Sequence, residues 1–279
     1  MHISGSTRVF LVIGDPVAQV QAPVMFNRVF QRHGVNAVLV PVQVSADRVP
    51  AFTREVLATG NIGGLWLTIP HKTLLVPLLG HIDRCGAVAQ SVNAVRRHED
   101  GQLQGAMFDG LGLVKALRHL GQPPEGRRVL LLGTGGAGSA IAAALLDHGV
   151  SQLALHDLGT RARQLATRLA DPRVVVTSNH PAGHDLIVHA TPLGLQPDDP
   201  LPFDVSLIEP GTCVIDILMK HRPTPLLQAC AARGIEAHPG FEMLVQQVPD
   251  YLRFFDMPDV ADAVAADLAD VRASTLVHP

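Results

Sequence analysis

Val129-Leu130-Leu131-Leu132-Gly133-Thr134-Gly135-Gly136-Ala137-Gly138-Ser139-Ala140 is an apolar run that breaks into glycines and then into small residues. The run reads as a buried strand, the glycines as a tight turn, and Ala140 to Leu146 as a closely packed helix. As G-x-G-x-x-G, the glycines are Gly133, Gly135 and Gly138, with Gly136 additional. Such a turn lets backbone N–H groups approach a pyrophosphate at the positive end of a helix dipole. Gly133, Gly135, Gly136, Ala137 and Gly138 are therefore the candidate cradle of a dinucleotide. The plainer alternative is a structural turn in an α/β domain whose ligand has no nicotinamide.

The segments that follow support the first reading. Gln152 to Asp157 reads as a short strand ending in a carboxylate, roughly 20 residues past the glycine turn, where an acid accepts the ribose hydroxyls of an adenosine. Asp185 to Pro192 and Thr212 to Ile217 are two more apolar strands with polar exits, the pattern of parallel strands buried on both faces. This half of the chain is expected to be a doubly wound nucleotide-binding domain.

The chain before Gly110 has its own alternation. Arg8 to Ile13, Ala37 to Val40 and Gly63 to Pro70 read as strands, and Pro23 to His33 and Asp47 to Thr59 as helices. Strands alternating with helices imply a second, mostly parallel α/β domain. The turn Glu99-Asp100-Gly101 joins Ser91 to Arg96 and Gln102 to Ala106 as a hairpin at its edge. From Gly240 to Leu276 the period is helical, broken by Pro258, and this stretch is expected to pack on the first domain. The division expected is residues 1–106, completed by 244–279, and residues 107–243.

At 279 residues, two domains are the default. A net charge of −3, without a basic stripe interleaved with aromatics, gives no reason to expect a nucleic-acid partner. No apolar run reaches the length of a membrane span, and the start of the chain lacks a basic region followed by an apolar one. Cys85, Cys213 and Cys230 are odd in number and widely spaced, which favours reduced thiols and a cytoplasmic location. The densest histidine group, His180, His184 and His189, matches no helical ligand pair, so no metal site is expected in the chain.

Taken together, the segments resemble the shikimate and quinate dehydrogenase family from end to end. Gly14-Asp15-Pro16-Val17 matches its opening segment, and Leu67-Thr68-Ile69-Pro70-His71-Lys72 the block that carries a catalytic lysine. Ser91-Val92-Asn93-Ala94 matches the asparagine segment and Asp109-Gly110-Leu111-Gly112 the aspartate segment. Ala190-Thr191-Pro192-Leu193-Gly194 matches the segment beside the nicotinamide, and Met243-Leu244-Val245-Gln246-Gln247 the helix bearing a substrate glutamine. The resemblance implies two α/β domains with a cleft between them, and an NAD(P)-dependent alcohol dehydrogenase acting on a cyclic hydroxy or keto compound as monomer or homodimer. It adds Thr191, Pro192, Leu218 and Gly240 to the cofactor residues. It makes Lys72 and Asp109 catalytic, with Thr68, Asn93 and Gln247 on the substrate.

The chemistry is consistent with those residue types. Oxidising a secondary alcohol needs a group that takes the hydroxyl proton while hydride leaves carbon. Lys72 follows a strand and a proline, so its backbone is held while its long side chain reaches outward. Burial would favour the neutral amine and a carboxylate such as Asp109 the charged one. The plainer readings are a surface lysine, a helix-start acid and amides tied to backbone.

Departures from the family pattern are concentrated on the substrate side. Two serines expected ahead of the first helix are Val20 and Ala22, the asparagine before the threonine block is Trp66, and the residues before the aspartate are Met107 and Phe108. The tyrosine expected after Asp216 is Met219, and the asparagine before Ala190 is His189. Loss of charge-assisted bonds, each about 1.5–3 kcal/mol, would weaken binding of a carboxylated polyol. A less polar pocket is expected, unless His71 or Gln21 rebuilds the polar one. On the cofactor side, Asp157 replaces the asparagine of an Asn-Arg-Thr run that holds a 2′-phosphate, which favours NAD, with NADP reachable through Arg161 and Arg163. The alternatives are a nucleotide-binding sensor without turnover, and a folate-type dehydrogenase, which expects a tyrosine one turn before its lysine that this chain does not offer.

Overall fold

The computed structural model describes residues 3–18, 20–196, 198–220 and 222–274. The end of the expected C-terminal helical stretch, Thr275 and Leu276, lies outside the described residues. The chain divides into two compact units, Met1–Phe108 with Val245–Pro279, and Asp109–Leu244.

The first unit opens β1 (Arg8–Gly14), α1 (Ala22–Arg32), β2 (Ala37–Gln43), α2 (Val49–Val56) and β3 (Ile62–Leu67). It continues with β4 (His81–Ile82), α3 (Arg84–Ala89), β5 (Ala94–Arg97) and β6 (Leu103–Ala106). The six strands form one sheet in the order β2-β1-β3-β5-β6-β4, with β5 antiparallel to both neighbours. The hairpin expected around Glu99-Asp100-Gly101 is β5 and β6, with Ala94 opposite Ala106.

Alternation along the central strands sorts side chains onto two faces. Leu11, Ile13, Leu65 and Leu67 join an aliphatic core with Val44, Val49, Leu57, Leu75, Val92 and Val95. Phe10 and Trp66 point the other way and meet Phe26 and Phe30 of α1. That face is closed by C-terminal helices, α8 (Phe241–Phe254), α9 (Pro258–Ala266) and α10 (Ala269–Ser274). Tyr251 and Phe255 of α8 stack on Trp66 with ring centroids 5.3 and 4.2 Å apart. Gly64 is required there, because a Cβ would lie 2.2 Å from Phe255. Pro258 starts α9, where a missing N–H costs nothing.

The second unit contains α4 (Asp109–His119), β7 (Arg128–Leu132), α5 (Gly136–Asp147), β8 (Gln152–His156), α6 (Arg161–Leu169) and β9 (Val174–Val176). It ends with β10 (Leu186–His189), β11 (Cys213–Asp216), α7 (Pro225–Ala231) and β12 (Ala237–Pro239). Its sheet is parallel throughout in the order β12-β11-β10-β7-β8-β9, the doubly wound arrangement. The winding reverses between β7 and β10, and ligands of such sheets bind beyond the carboxyl ends of the strands at that reversal. Close packing explains the small residues of α5: a Cβ on Gly110 of α4 would lie 2.2 Å from the carbonyl oxygen of Ala140.

The sequence expectation differs from this in detail. The strands β4, β9 and β12, two or three residues each, were not expected, since a periodic pattern needs more residues than they contain. The helix expected from Ala140 begins at Gly136, so the later glycines of the turn already form its first turn.

Candidate functional site

In the first unit the functional segments gather where β1, β3, β5 and β6 place their ends. Gly14 closes β1 against the threonine block: a Cβ there would meet Thr68 Cγ2 at 2.5 Å, and Thr68 donates its N–H to the Ile13 carbonyl at 3.0 Å. Lys72, half-buried, sits in a single turn, His71–Thr73. Two bonds hold that turn. His71, fully buried, donates from Nε2 to the Val44 carbonyl at 2.7 Å, and the Lys72 carbonyl accepts from Val92 N–H at 2.7 Å. The lysine backbone is therefore fixed while its side chain keeps its length. His71 is thereby held inside the fold, with Nε2 on the Val44 carbonyl and Nδ1 buried without a hydrogen-bond partner among the described residues.

Val92 leads directly into Asn93, which is 1% exposed, and Gln247 on α8 is 2% exposed. The Asn93 amide donates to Gln247 Oε1 at 3.4 Å, and its Oδ1 accepts from Phe108 N–H at 3.0 Å. Tyr251, one helical turn beyond Gln247, donates its hydroxyl to the Asn93 carbonyl at 3.3 Å. Tyr251 was missed by the sequence reading; its spacing of four residues from Gln247 on a helix was the available signal.

The residues expected to make the substrate side less polar fall into two groups. Val20, Ala22 and Phe108 are half-buried. Trp66 and Met107 are 3% and 1% exposed, and Trp66 is enclosed by Phe10, Phe26, Tyr251 and Phe255. The expectation that Trp66 lines the substrate pocket is corrected here: strand alternation turns it into the aromatic core. Phe108 instead packs on Tyr251 and Phe254 and borders a groove of about 470 Å³ with Asp83, Asp250 and Arg253.

In the second unit the glycine turn has the division of labour that a dinucleotide needs. Gly133 takes φ +93°, and a Cβ on it would meet the Ala190 carbonyl oxygen at 2.5 Å. A Cβ on Gly138 would meet the Gly133 carbonyl oxygen at 2.0 Å. Gly135, by contrast, is exposed and nothing lies within 4 Å of its missing Cβ. Two glycines thus let the turn and helix close on each other, and the third leaves open the space beside the first-turn amides of Gly136, Ala137 and Gly138. Those amides have no carbonyl partner within the helix. The cradle fits a pyrophosphate.

Asp157 is tied to this turn. Its Oδ2 accepts from both the N–H and the hydroxyl of Thr134 at 2.7 Å, and Oδ1 accepts from Leu158 N–H at 2.6 Å. Burial pushes its carboxyl up, but the Thr134 and Leu158 bonds and the nearby Arg161 guanidinium outweigh it and leave the group below the usual carboxylate range. Asp157 is therefore an anion at neutral pH that also clamps β7 to β8. Leu158, the next residue, is 81% exposed, and Arg161 and Arg163 are exposed at the start of α6.

At the exits of β10 and β11 lies a buried polar chain. His189 and Asp216 are both fully buried, with His189 Nδ1 3.0 Å from Asp216 Oδ1. His189 Nε2 contacts the Thr191 hydroxyl, and Asp216 also accepts from the Thr224 hydroxyl and from Leu218 N–H. The chain holds the hydroxyl of Thr191 and the backbone N–H of Leu218, two of the expected cofactor residues; Pro192 beside them is exposed. Gly240 is a close approach, its missing Cβ 2.4 Å from the Ile217 carbonyl oxygen. Replacing His189 by alanine strands part of a buried carboxylate's bonding and is expected to cost about 1–3 kcal/mol, read as a lower urea midpoint.

Asp109 opens α4, 4% exposed. No helix among the described residues is long and apolar enough to cross a membrane.

The second unit thus carries a parallel doubly wound sheet with a glycine cradle at its reversal, and the first an α/β sheet with a fixed lysine turn and two buried amides. Residues 12–95 match the model of the shikimate dehydrogenase substrate binding domain. The chain is 36% identical over 255 residues to shikimate dehydrogenase (NADP(+)) of Rubrobacter xylanophilus, covering 88% of this chain and 89% of that one. It is 35% identical to the enzyme of that name from Acidiphilium cryptum, over 96% and 99% of the two chains. Among solved structures, shikimate dehydrogenase of Aquifex aeolicus superposes with a TM-score of 0.84 at 26% identity, over 95% of this chain and 100% of that one. Quinate dehydrogenase of Corynebacterium glutamicum in complex with NAD superposes with a TM-score of 0.80 at 26% identity, over 97% and 99%. The chain belongs to the shikimate dehydrogenase family.

Proposed function

We propose that the chain transfers hydride between a nicotinamide dinucleotide and the CH–OH or C=O of a cyclic hydroxy compound of the shikimate or quinate type, with a less polar substrate region than a carboxylated polyol requires. The observation that carries this reading is the buried amide pair, Asn93 with Gln247, set beside the fixed turn of Lys72. Two amides kept in an apolar interior supply donors and acceptors for ring hydroxyls, while Val20 and Ala22 offer no hydroxyl to a carboxylate.

When bound, the dinucleotide supplies the hydride acceptor, held by Gly133, Gly135, Gly136, Ala137 and Gly138, with Thr191, Pro192, Leu218 and Gly240 at its nicotinamide end. Lys72 exchanges the proton at the carbinol oxygen, and Asp109 is the second catalytic residue. Asn93 and Gln247 bind substrate hydroxyls and orient the carbinol, assisted by Thr68. The less polar substrate region is supported by the residues at 20 and 22 and by the half-buried Phe108.

NAD is the proposed cofactor, although the relatives above carry NADP(+) in their names. An ionised Asp157 followed by an exposed leucine repels a 2′-phosphate and offers it no cation at the adjacent position. Initial rates are expected to favour NAD at least about tenfold in kcat/KM, a difference of about 1.4 kcal/mol. Equal rates, or a preference for NADP, would place the phosphate on Arg161 or Arg163 instead.

The substrate reading is tested by following reduced nicotinamide with shikimate, quinate and their decarboxylated analogues. Higher kcat/KM for the decarboxylated compounds is expected. A value for shikimate in the range of about 10⁴ M⁻¹s⁻¹ or above would overturn the shifted pocket. Tight cofactor binding with no turnover of any compound would favour a sensor.

A further inference from the structure

We propose that His81, His98 and Asp100 form a binding site for a divalent first-row transition metal ion, of which Zn²⁺ is the natural probe. The site lies in the first unit at the sheet edge. His81 is on the edge strand β4, and His98 and Asp100 are in the turn that joins β5 to β6. His81 Nε2 is 2.7 Å from Asp100 Oδ2, and His98 Nδ1 is 3.1 Å from Asp100 Oδ1. The three ligand atoms lie within 4.8 Å of one another, and the two imidazoles are side by side with centroids 4.3 Å apart.

Ligands around a tetrahedral ion with bonds of about 2.0 Å stand roughly 3.3 Å apart, so these groups need little movement to receive one. The donor set, two imidazoles and one carboxylate, is that of a zinc-type site with a position left for water. The carboxylate is also oriented, since Asp100 Oδ1 accepts from Gln102 N–H at 2.9 Å and Oδ2 from the Gln102 side chain at 3.3 Å. Outer hydrogen bonds of this kind hold metal ligands in place.

A second group, Cys213, Glu236 and His238 in the second unit, is less suited. Burial pushes the Cys213 thiol up to about 12, away from the thiolate that a metal ion requires. Fourteen histidines invite a search for runs along the chain, and neither group is one. Residues 81 and 98 become neighbours only through the pairing of β4 with β6 and of β6 with β5.

The ion would staple a two-residue edge strand to the hairpin. Purified full-length protein, stripped with a chelator, is titrated with Zn²⁺ against a chromophoric competitor. One tightly held ion per chain is expected, with a rise in Tm of roughly 5 °C when free Zn²⁺ is a hundred times Kd. His81→Ala and His98→Ala should each weaken binding at least about tenfold. The milder His98→Gln should do the same while leaving the Tm of the metal-free protein unchanged. Absence of a stoichiometric site, equal binding by all these variants, or loss of binding in Cys213→Ser or His238→Ala would overturn the proposal.

Discussion

Lys72→Ala is expected to lower kcat/KM for the preferred substrate by about 10²–10⁴-fold, the range that a positioned acid-base group contributes. The loss should appear mainly in kcat, because the lysine is assigned to the proton moved during the chemical step and not to uniform binding. Cofactor affinity should be unchanged, since the cradle is built entirely from Gly133 and residues after it. Folding should change little, by less than about 1 kcal/mol, because the turn is held by the His71 side chain and by the Lys72 carbonyl, and both survive the substitution. A variant with unimpaired kcat would remove Lys72 from the chemistry and with it the proposed mechanism.

The second large effect separates two glycines of one turn. Gly138→Ala places a methyl group 2.0 Å from a backbone oxygen, a contact that cannot persist, so β7, α5 or both must shift. A loss of about 1–3 kcal/mol is expected, seen as a lower Tm with or without cofactor. Gly135→Ala meets nothing within 4 Å, and its φ of −68° suits an alanine. The fold should tolerate it. The methyl group would instead occupy the space left for the pyrophosphate, and the cofactor Kd is expected to rise about tenfold or more, measured by fluorescence titration or calorimetry. Reversal of the two results, with Gly135→Ala unfolding and Gly138→Ala only binding weakly, would refute this division of roles.

The NAD argument and the glycine argument meet at Asp157. The sequence suggests an acid free to receive ribose hydroxyls. In the fold the carboxylate already accepts three hydrogen bonds, two of them from Thr134. It is therefore a brace of the glycine turn as well as the charge that bears on the 2′ position. Changing it alters the shape of the cradle and its preference together, which is why cofactor preference is best read in the unaltered chain.

The doubly wound sheet was legible in the sequence because its strands are buried on both faces. Val129 to Leu132, Leu153 to Leu155 and Leu186 to Val188 are continuous apolar runs, and glycine at 133 and 138 has no substitute where a Cβ would meet backbone. Lys72, Asn93, Asp109 and Gln247 were singled out only through the family's ordered segments, since a lone lysine or amide has no period. What a side chain faces was decided by tertiary structure. Trp66 occupies a position that the family pattern assigns to substrate, yet strand alternation and the aromatic rings of α1 and α8 take it into the core.

Other features exist only because distant residues pair. His189 and Asp216 are 27 residues apart and meet because β10 and β11 lie side by side in register. Tyr251 reaches the Asn93 carbonyl across 158 positions of sequence. Local composition and backbone constraints are written in the chain itself, so it determined the longer strands and the glycine cradle. Partnership between side chains depends on which strands and helices become neighbours, and that was decided by the packing of whole layers.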